Sequence, residues 1–378
     1  VAVIAFAVSY LINSMHDYNA YRGQWWAAVS GYGPWATEAE GQVIDTNAYG
    51  PFHAVFAPLW AIYWLLPKFI FTGLSIGIFA ILVNASRSAG IALTRARLWL
   101  LAVLFPLSPL TIITVYFFGI NDIVPAFCMV VACAVFAGGQ RGWAGFWIAL
   151  GALMKFYPLL FAGFLAGRGD GRLDLRVPLV GLVVFLAGMA AAYLVWGPAV
   201  LSPFQFGSDR GPKMLSILRY LDSVETLHQS AILQHLVARN ALYVIGAAVL
   251  VALHGWLARL EWELTLLVGI FAVFFVYKVG HPQFYLSWFA VQAWIIAGRS
   301  DGPAFRVAWA FLPAAIFVSA FQCLYLSTDL LTDSYLQDDW FFVRDYVSPF
   351  FLATVLWCVY RSRRDLFRRW HWPAGIRV

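Results

Sequence analysis

Ten runs of apolar residues, each near the length that crosses a bilayer, leave this chain few ways to fold. They lie at about 1–15, 68–85, 98–118, 122–138, 177–197, 239–257, 264–279, 283–298, 305–327 and 348–360. A helix needs about 20 predominantly apolar residues to cross the hydrocarbon layer. The charge content closes the soluble alternatives. Of the 378 residues, 62% are hydrophobic and 12% are charged, whereas a soluble domain carries about 25% charged residues. So few charges cannot wet the surface of a soluble enzyme, a disordered chain or a nucleic-acid-binding protein. The chain reads as an all-α polytopic membrane protein, one integral membrane domain over residues 1–378. The first run is short for a span and starts at Val1 without Met, so further residues are expected before it.

The run 143–167 is interrupted by Lys155-Phe156-Tyr157-Pro158 and flanked by Arg141 and Arg168. A single crossing would put those arginines on opposite sides. Two short helices with Lys155 and Pro158 at the turn keep them together. Proline removes a backbone donor and favours such a break, and broken helices are tolerated where they line a cavity. This reading gives about 12 spans, with 51–67 re-entrant or interfacial. With the N-terminus in the cytoplasm, the inner loops hold 16 of the 25 basic residues and 6 of the 19 acidic ones, so the faces carry +10 and −4. That separation obeys the positive-inside rule. Both termini are expected inside, with a basic cytoplasmic tail at 361–378. The long loops, 16–50, 198–238 and 328–347, fall outside. A protein that builds long loops on one face is expected to work there.

Cys128, Cys133, Cys323 and Cys358 all sit in apolar runs and read as packing residues. No P-loop, dinucleotide fingerprint or HExxH occurs in the sequence. Nothing calls for a metal or a nucleotide cofactor.

Ionisable groups near membrane depth are costly and point to function. Five clusters stand out, all on the expected outer side. His16-Asp17-Tyr18, with Arg22, ends the first run; Asp17 is either a general base or a helix-end aspartate in water. Asn121 and Asp122 either cap the next helix or edge a cavity. Lys155 either snorkels to the interface or meets a lipid phosphate as a point charge. Arg210, Lys213 and Arg219 form a basic patch in an otherwise acidic face, in a loop where 213–238 reads as an amphipathic surface helix. They suit an anionic ligand or lipid headgroups. Lys278 and His281 meet Gln283 and two tyrosines at a Gly/Pro break, where a satisfied loop histidine is the plainer reading.

These residues, in this order, resemble the membrane glycosyltransferases of the GT-C fold, and glycosyltransferase family 87 in particular. That family includes polyprenyl-phosphate-mannose-dependent mannosyltransferases. The likeness runs over roughly residues 10–300. It rests on Asp17-Tyr18, Gly31–Pro34, Tyr49-Gly50-Pro51, Phe56-Ala57-Pro58-Leu59, Ser108-Pro109, Gly119–Asp122, Ala144-Gly145 and Lys155–Pro158. It departs from the family where Tyr-Gly-Pro stands for Tyr-Pro-Pro, and where the first motif holds one acid with the next, Asp45, far away. The resemblance implies a GT-C-like fold in the bacterial cytoplasmic membrane and a polyprenyl-phosphate sugar donor, most simply mannosyl, at the outer face. It also implies a lipid or glycan acceptor deprotonated by Asp17, and inversion at the anomeric carbon. A monophosphate leaving group needs cations as charge develops. The candidates are Lys155, Arg210, Lys213, Arg219, Lys278 and His281, with His16, Tyr18, Arg22, Asn121 and Asp122 as further substrate contacts.

Two other readings compete. A transporter or flippase of lipid-linked sugar predicts midplane charges and repeat symmetry. A non-catalytic subunit of a membrane assembly predicts a cavity plugged by side chains.

Overall fold

The computed structural model describes residues 1–12, 17–44, 48–167, 169–330 and 346–368. His16, Asp45, Arg168, Arg369 and Arg377 of the sequence reading lie outside the described residues. Most of the chain is helical, as an all-α membrane protein requires. In chain order the first helices are α1 (Ala2–Leu11), α2 (Asp17–Val29), α3 (Phe56–Ile62), α4 (Leu66–Ser88), α5 (Arg95–Leu104), α6 (Pro109–Thr111), α7 (Ile123–Ala137), α8 (Arg141–Met154), α9 (Pro158–Phe161) and α10 (Arg176–Trp196). Then come α11 (Ser202–Asp209), α12 (Ile217–Ser223), α13 (Glu225–His228), α14 (Ala231–Ala238), α15 (Asn240–Leu257), α16 (Trp262–Val276), α17 (Leu286–Gly298), α18 (Gly302–Ala310), α19 (Leu312–Leu330) and α20 (Ser348–Leu366). Two short strand pairs complete the described fold. β1 (Glu38–Ala39) runs antiparallel to β2 (Gln42–Val43), and β3 (Lys213–Met214) runs parallel to β4 (Val279–Gly280).

Among the described residues, four helices are long and apolar enough to cross a membrane: α4, α10 continued into α11, α15, and α18 continued into α19. A fifth span is available if α5 and Pro109–Phe117 act as one crossing bent by 49°. Several of the other apolar runs make shorter helices. α7 and α16 have 15 residues each, α8 has 14 and α17 has 13. At about 1.5 Å per residue these fall well short of the ~30 Å core. They are inner helices. Every side chain from Leu286 to Ala297 is buried, whereas α10 and α15 turn Leu182, Val183, Leu186, Val249 and Leu250 outward. Length therefore counts fewer spans than hydropathy does, because the innermost segments are shielded by other helices.

The interrupted run folds back. α8 ends at Met154, the chain is extended at Lys155, and Pro158 starts α9. Its return brings Asp174 to Arg141, with Nε 3.1 Å from Oδ2, so the two ends of the segment meet. The loop 213–238 is not one amphipathic helix. Lys213 and Met214 are extended against β4, Val224 is extended between α12 and α13, and Ser230 caps α14 through its hydroxyl.

Candidate active site

Two close backbone approaches assemble the site. Gly50 N–H donates to Met154 O at 2.9 Å, and a Cβ on Gly50 would lie 2.2 Å from Leu153 O. Only glycine fits there, and the contact lays Tyr49 across the end of α8. Gly280 packs as tightly, for a Cβ would lie 2.4 Å from Ser216 N. That closeness lets β3 pair with β4 and carries the arm 208–216 to the mouth of α16 and α17.

Between them lies a cavity of about 790 Å³, bordered by Asp17, Lys155, Arg210, Lys278 and His281. Tyr21, Tyr49, Tyr157, Tyr277, Asn240 and Gln283 add polar atoms to its wall. One side is apolar, made by Phe156, Leu159, Leu160, Phe185, Val244 and Val273. The cavity reaches the surface beside Phe204 and Ile245, both of them exposed.

Asp17 begins α2 and accepts from Gln283 Nε2 at 3.3 Å. Lys155 is not at an interface. It is buried, 2.6 Å from Asp122 Oδ2, and its ammonium lies 4.9 Å from the Tyr49 ring and 5.1 Å from that of Phe284. Asp122 stands at the N-cap position of α7 but makes no capping bond there. Its fully buried carboxylate serves Lys155 instead, and Tyr157 Oη donates to it at 3.4 Å. The helix-cap reading of Asp122 is thus replaced by a buried ion pair. Tyr21 and Tyr49 share a hydroxyl hydrogen bond of 3.0 Å. Burial, and then the Asp17 charge, push the Tyr49 hydroxyl well above the usual phenol range. Burial, then Tyr49 and Asp17, do the same for Tyr21. Both phenols stay protonated and can donate but cannot act as bases.

Arg210 Nη2 donates to His281 Nε2 at 3.0 Å. A guanidinium has no acceptor, so this ring nitrogen is the acceptor and the imidazole is neutral. Burial pushes the His281 pKa well below the usual 6.5, and the charges of Arg210, Lys213 and Lys155 push it the same way. Lys278 Nζ donates to Ser208 O at 2.7 Å and to Val237 O at 3.3 Å.

Residues 47–277 match the model of glycosyltransferase family 87, well over half of the chain. The chain belongs to glycosyltransferase family 87. No curated protein and no solved structure matches it. The family match holds Tyr49, Asp122, Lys155 and Arg210, while Asp17, Lys278 and His281 lie beyond its ends. The fold nevertheless brings both sets to one cavity of this family 87 chain, Asp122 standing behind its wall as the partner of Lys155.

The remaining residues singled out in the sequence stand apart from the cavity wall. Asn121 is buried behind it, with Nδ2 donating to His53 Nδ1 at 3.2 Å. Tyr18 is buried and donates to Trp64 O at 2.7 Å. Arg22 is exposed over the Trp64 ring, at 5.1 Å. Lys213 is exposed on β3, and Arg219 lies 3.6 Å from Asp222. Reasoning from the sequence passed over Asn240, whose amide only the tertiary fold brings to the 276–278 turn. It also passed over Lys68, a lysine inside α4 whose Nζ donates to Ile12 O at 2.6 Å and Phe117 O at 2.9 Å. An isolated lysine in an apolar run was the available signal. It marks a buried tie between segments and does not border the cavity.

Proposed function

We propose that this family 87 chain transfers a sugar, mannose in the simplest case, from a polyprenyl-monophosphate donor to a hydroxyl of a lipid or glycan acceptor. The observation that carries the reading is one cavity with a carboxylate, a cation-bearing arm and an apolar side reaching the surface. A lipid-linked sugar has the matching parts: a polar sugar, one phosphate and a long apolar tail. In this reading Asp17 takes the proton of the acceptor hydroxyl, held by its bond from Gln283. The acceptor oxygen attacks the anomeric carbon from the face opposite the phosphate. The bond from that carbon to the phosphate oxygen breaks, and the lipid phosphate leaves with the electron pair, so configuration inverts. Arg210 faces the charge that develops on the leaving oxygen. Tyr21 and Tyr49 supply hydroxyls to the sugar. Phe156, Leu160 and Val244 receive the first prenyl units. An open cavity of this size also suits an enzyme better than a plugged, purely structural subunit.

The same reading places the chain in a bacterial cytoplasmic membrane, with about 12 crossings, counting the short inner helices, and both termini inside. The cavity then opens on the outer side, where no nucleotide sugar is at hand. The test is transfer by the purified protein in lipid nanodiscs from a panel of polyprenyl-phosphate sugars, with the anomeric configuration of the product read by NMR. Inverted product from a polyprenyl-phosphate hexose supports the reading. Transfer from a nucleotide sugar alone, or retained configuration, overturns it.

A further inference from the structure

Lys278 borders the cavity beside Arg210, and by residue type it passes for a second phosphate ligand. Its bonds say otherwise. The side chain belongs to a residue only 4% exposed, and its ammonium is directed at two backbone carbonyls, Ser208 O and Val237 O. Its own backbone is held as firmly. Lys278 N–H donates to Asn240 Oδ1 at 2.8 Å, and its carbonyl accepts from Lys213 N–H at 2.9 Å. Asn240 closes the clamp by donating from Nδ2 to Val276 O at 3.0 Å. One residue thus ties together the end of α11, the start of β3, the end of α14 and the start of α15. Arg210 sits between two of the tied points, Ser208 and Lys213. It is two residues beyond the carbonyl that Lys278 holds and three before the amide that donates to Lys278 O.

We infer that Lys278 is a positioning residue, which fixes the arm 208–213 so that Arg210 meets the donor phosphate. This rests on the donor reading above. The physical argument is one of commitment. An ammonium already bonded to two carbonyls loses both charge-assisted bonds if it turns toward a ligand, and such bonds are stronger than neutral ones. A guanidinium on an exposed arm has five N–H donors and spends one on His281, so it can take a phosphate without breaking the clamp. The clamp adds to the arm's other ties, the pairing of β3 with β4 and the bond from Arg210 to His281. Phe204 stacks on Phe156 at 3.9 Å between ring centroids, and beyond that point Ser208 and Asp209 are exposed.

The test is a double-mutant cycle on the donor KM, measured with a polyprenyl-phosphate hexose. Arg210→Gln is expected to raise KM roughly 10- to 100-fold, the size of one lost charged hydrogen bond. Lys278→Met is expected to raise it by a comparable factor. The combined variant is expected to be no worse than Arg210→Gln alone, because Lys278 acts through Arg210. Multiplying effects would make Lys278 an independent ligand and overturn the inference. If Lys278→Met does not yield a monodisperse protein, Asn240→Ala takes its place in the cycle. That change removes no charge, yet loosens the same clamp, and it carries the same expectation. Asn240→Ala at wild-type KM would overturn the inference as well. An Arg210→Gln enzyme at wild-type KM is a different failure, since it removes the phosphate contact on which the donor reading stands.

Discussion

The two ends of the helix bundle use the same residue types to opposite effect. At the end formed by the starts of α8, α10 and α16 and the end of α17, charges close on each other. Asp174 takes Arg141 at 3.1 Å and Arg176 at 3.5 Å. Buried Glu263 takes Arg299, and Arg97 donates to the carbonyls of Ile296 and Ala297. Arg306 Nε lies 3.0 Å from Asp365. At the opposite end Asp17 and Arg210 border a cavity of about 790 Å³, while Lys155 on its wall is closed on a buried partner, Asp122. A charge that closes on a neighbour does structural work. A charge on the wall of an open, half-apolar cavity is available to a ligand.

The sharpest way to break this contrast is Asp17→Asn. The loss of a positioned general base costs about 10²–10⁴-fold in rate. Transfer should fall by that factor while the melting temperature stays put, since Asn keeps the shape and can still bond Gln283. Near-wild-type kcat in that variant would move the base elsewhere. Lys155→Met comes next and should fail in a different way. It strands the buried Asp122 carboxylate, and breaking a buried pair costs about 3–5 kcal/mol. The expected result is a large drop in detergent melting temperature. Adding Asp122→Asn should recover most of it, without restoring activity if Lys155 also faces substrate.

The His281 ring gives a pH test of the cavity end. Its pKa in the folded protein lies well below the usual 6.5. Between the two values the unfolded chain binds the proton and the folded one does not, so stability falls as pH drops below about 6.5 and is flat above it. The slope reaches at most one proton, about 1.4 kcal/mol per pH unit. His281→Gln should flatten thermal melts recorded from pH 7.5 to 5.5. An unchanged slope would mean that other groups carry the acid sensitivity.

The sequence made the class and the cluster membership legible for physical reasons. Apolar runs and sorted charges follow from the membrane alone, and the break at Lys155-Phe156-Tyr157-Pro158 announces its turn through Pro158. Helix length was less legible. Hydropathy does not reveal that α7, α16 and α17 are shorter than the lipid-facing helices, because inner and lipid-facing helices are equally apolar and only packing tells them apart. Pairing was hidden too. Lys155 and Asp122 are 33 residues apart, and nothing local says that Asp122 forgoes capping to neutralise a lysine. The 213–238 segment misled because period-3.6 leucines continue across Val224 and Ser230, where the backbone is extended. Arg210 and Arg219 look equivalent in sequence, and the clamp built on Lys278 and Gly280 separates them.

The smallest expected effects bear on that last separation and on the closed end. Arg141→Gln leaves the buried Asp174 with its longer bond to the exposed Arg176, so the loss should be about 1–3 kcal/mol, with kcat/KM per folded enzyme unchanged. Arg219 tests the cavity end more finely. It lies on the same stretch as Arg210, nine positions on, but is 3.6 Å from Asp222, which also takes His228 Nδ1 at 3.0 Å. Neither Arg219 nor Asp222 borders the cavity. If contact with the ligand is what distinguishes the two arginines, Arg219→Gln should change donor KM by less than about twofold. If the patch acts only through its summed charge, both variants should shift KM alike, and both shifts should shrink together as salt screens the field. Parallel KM titrations at low and high salt therefore decide whether this end of the bundle is a built site or a basic surface.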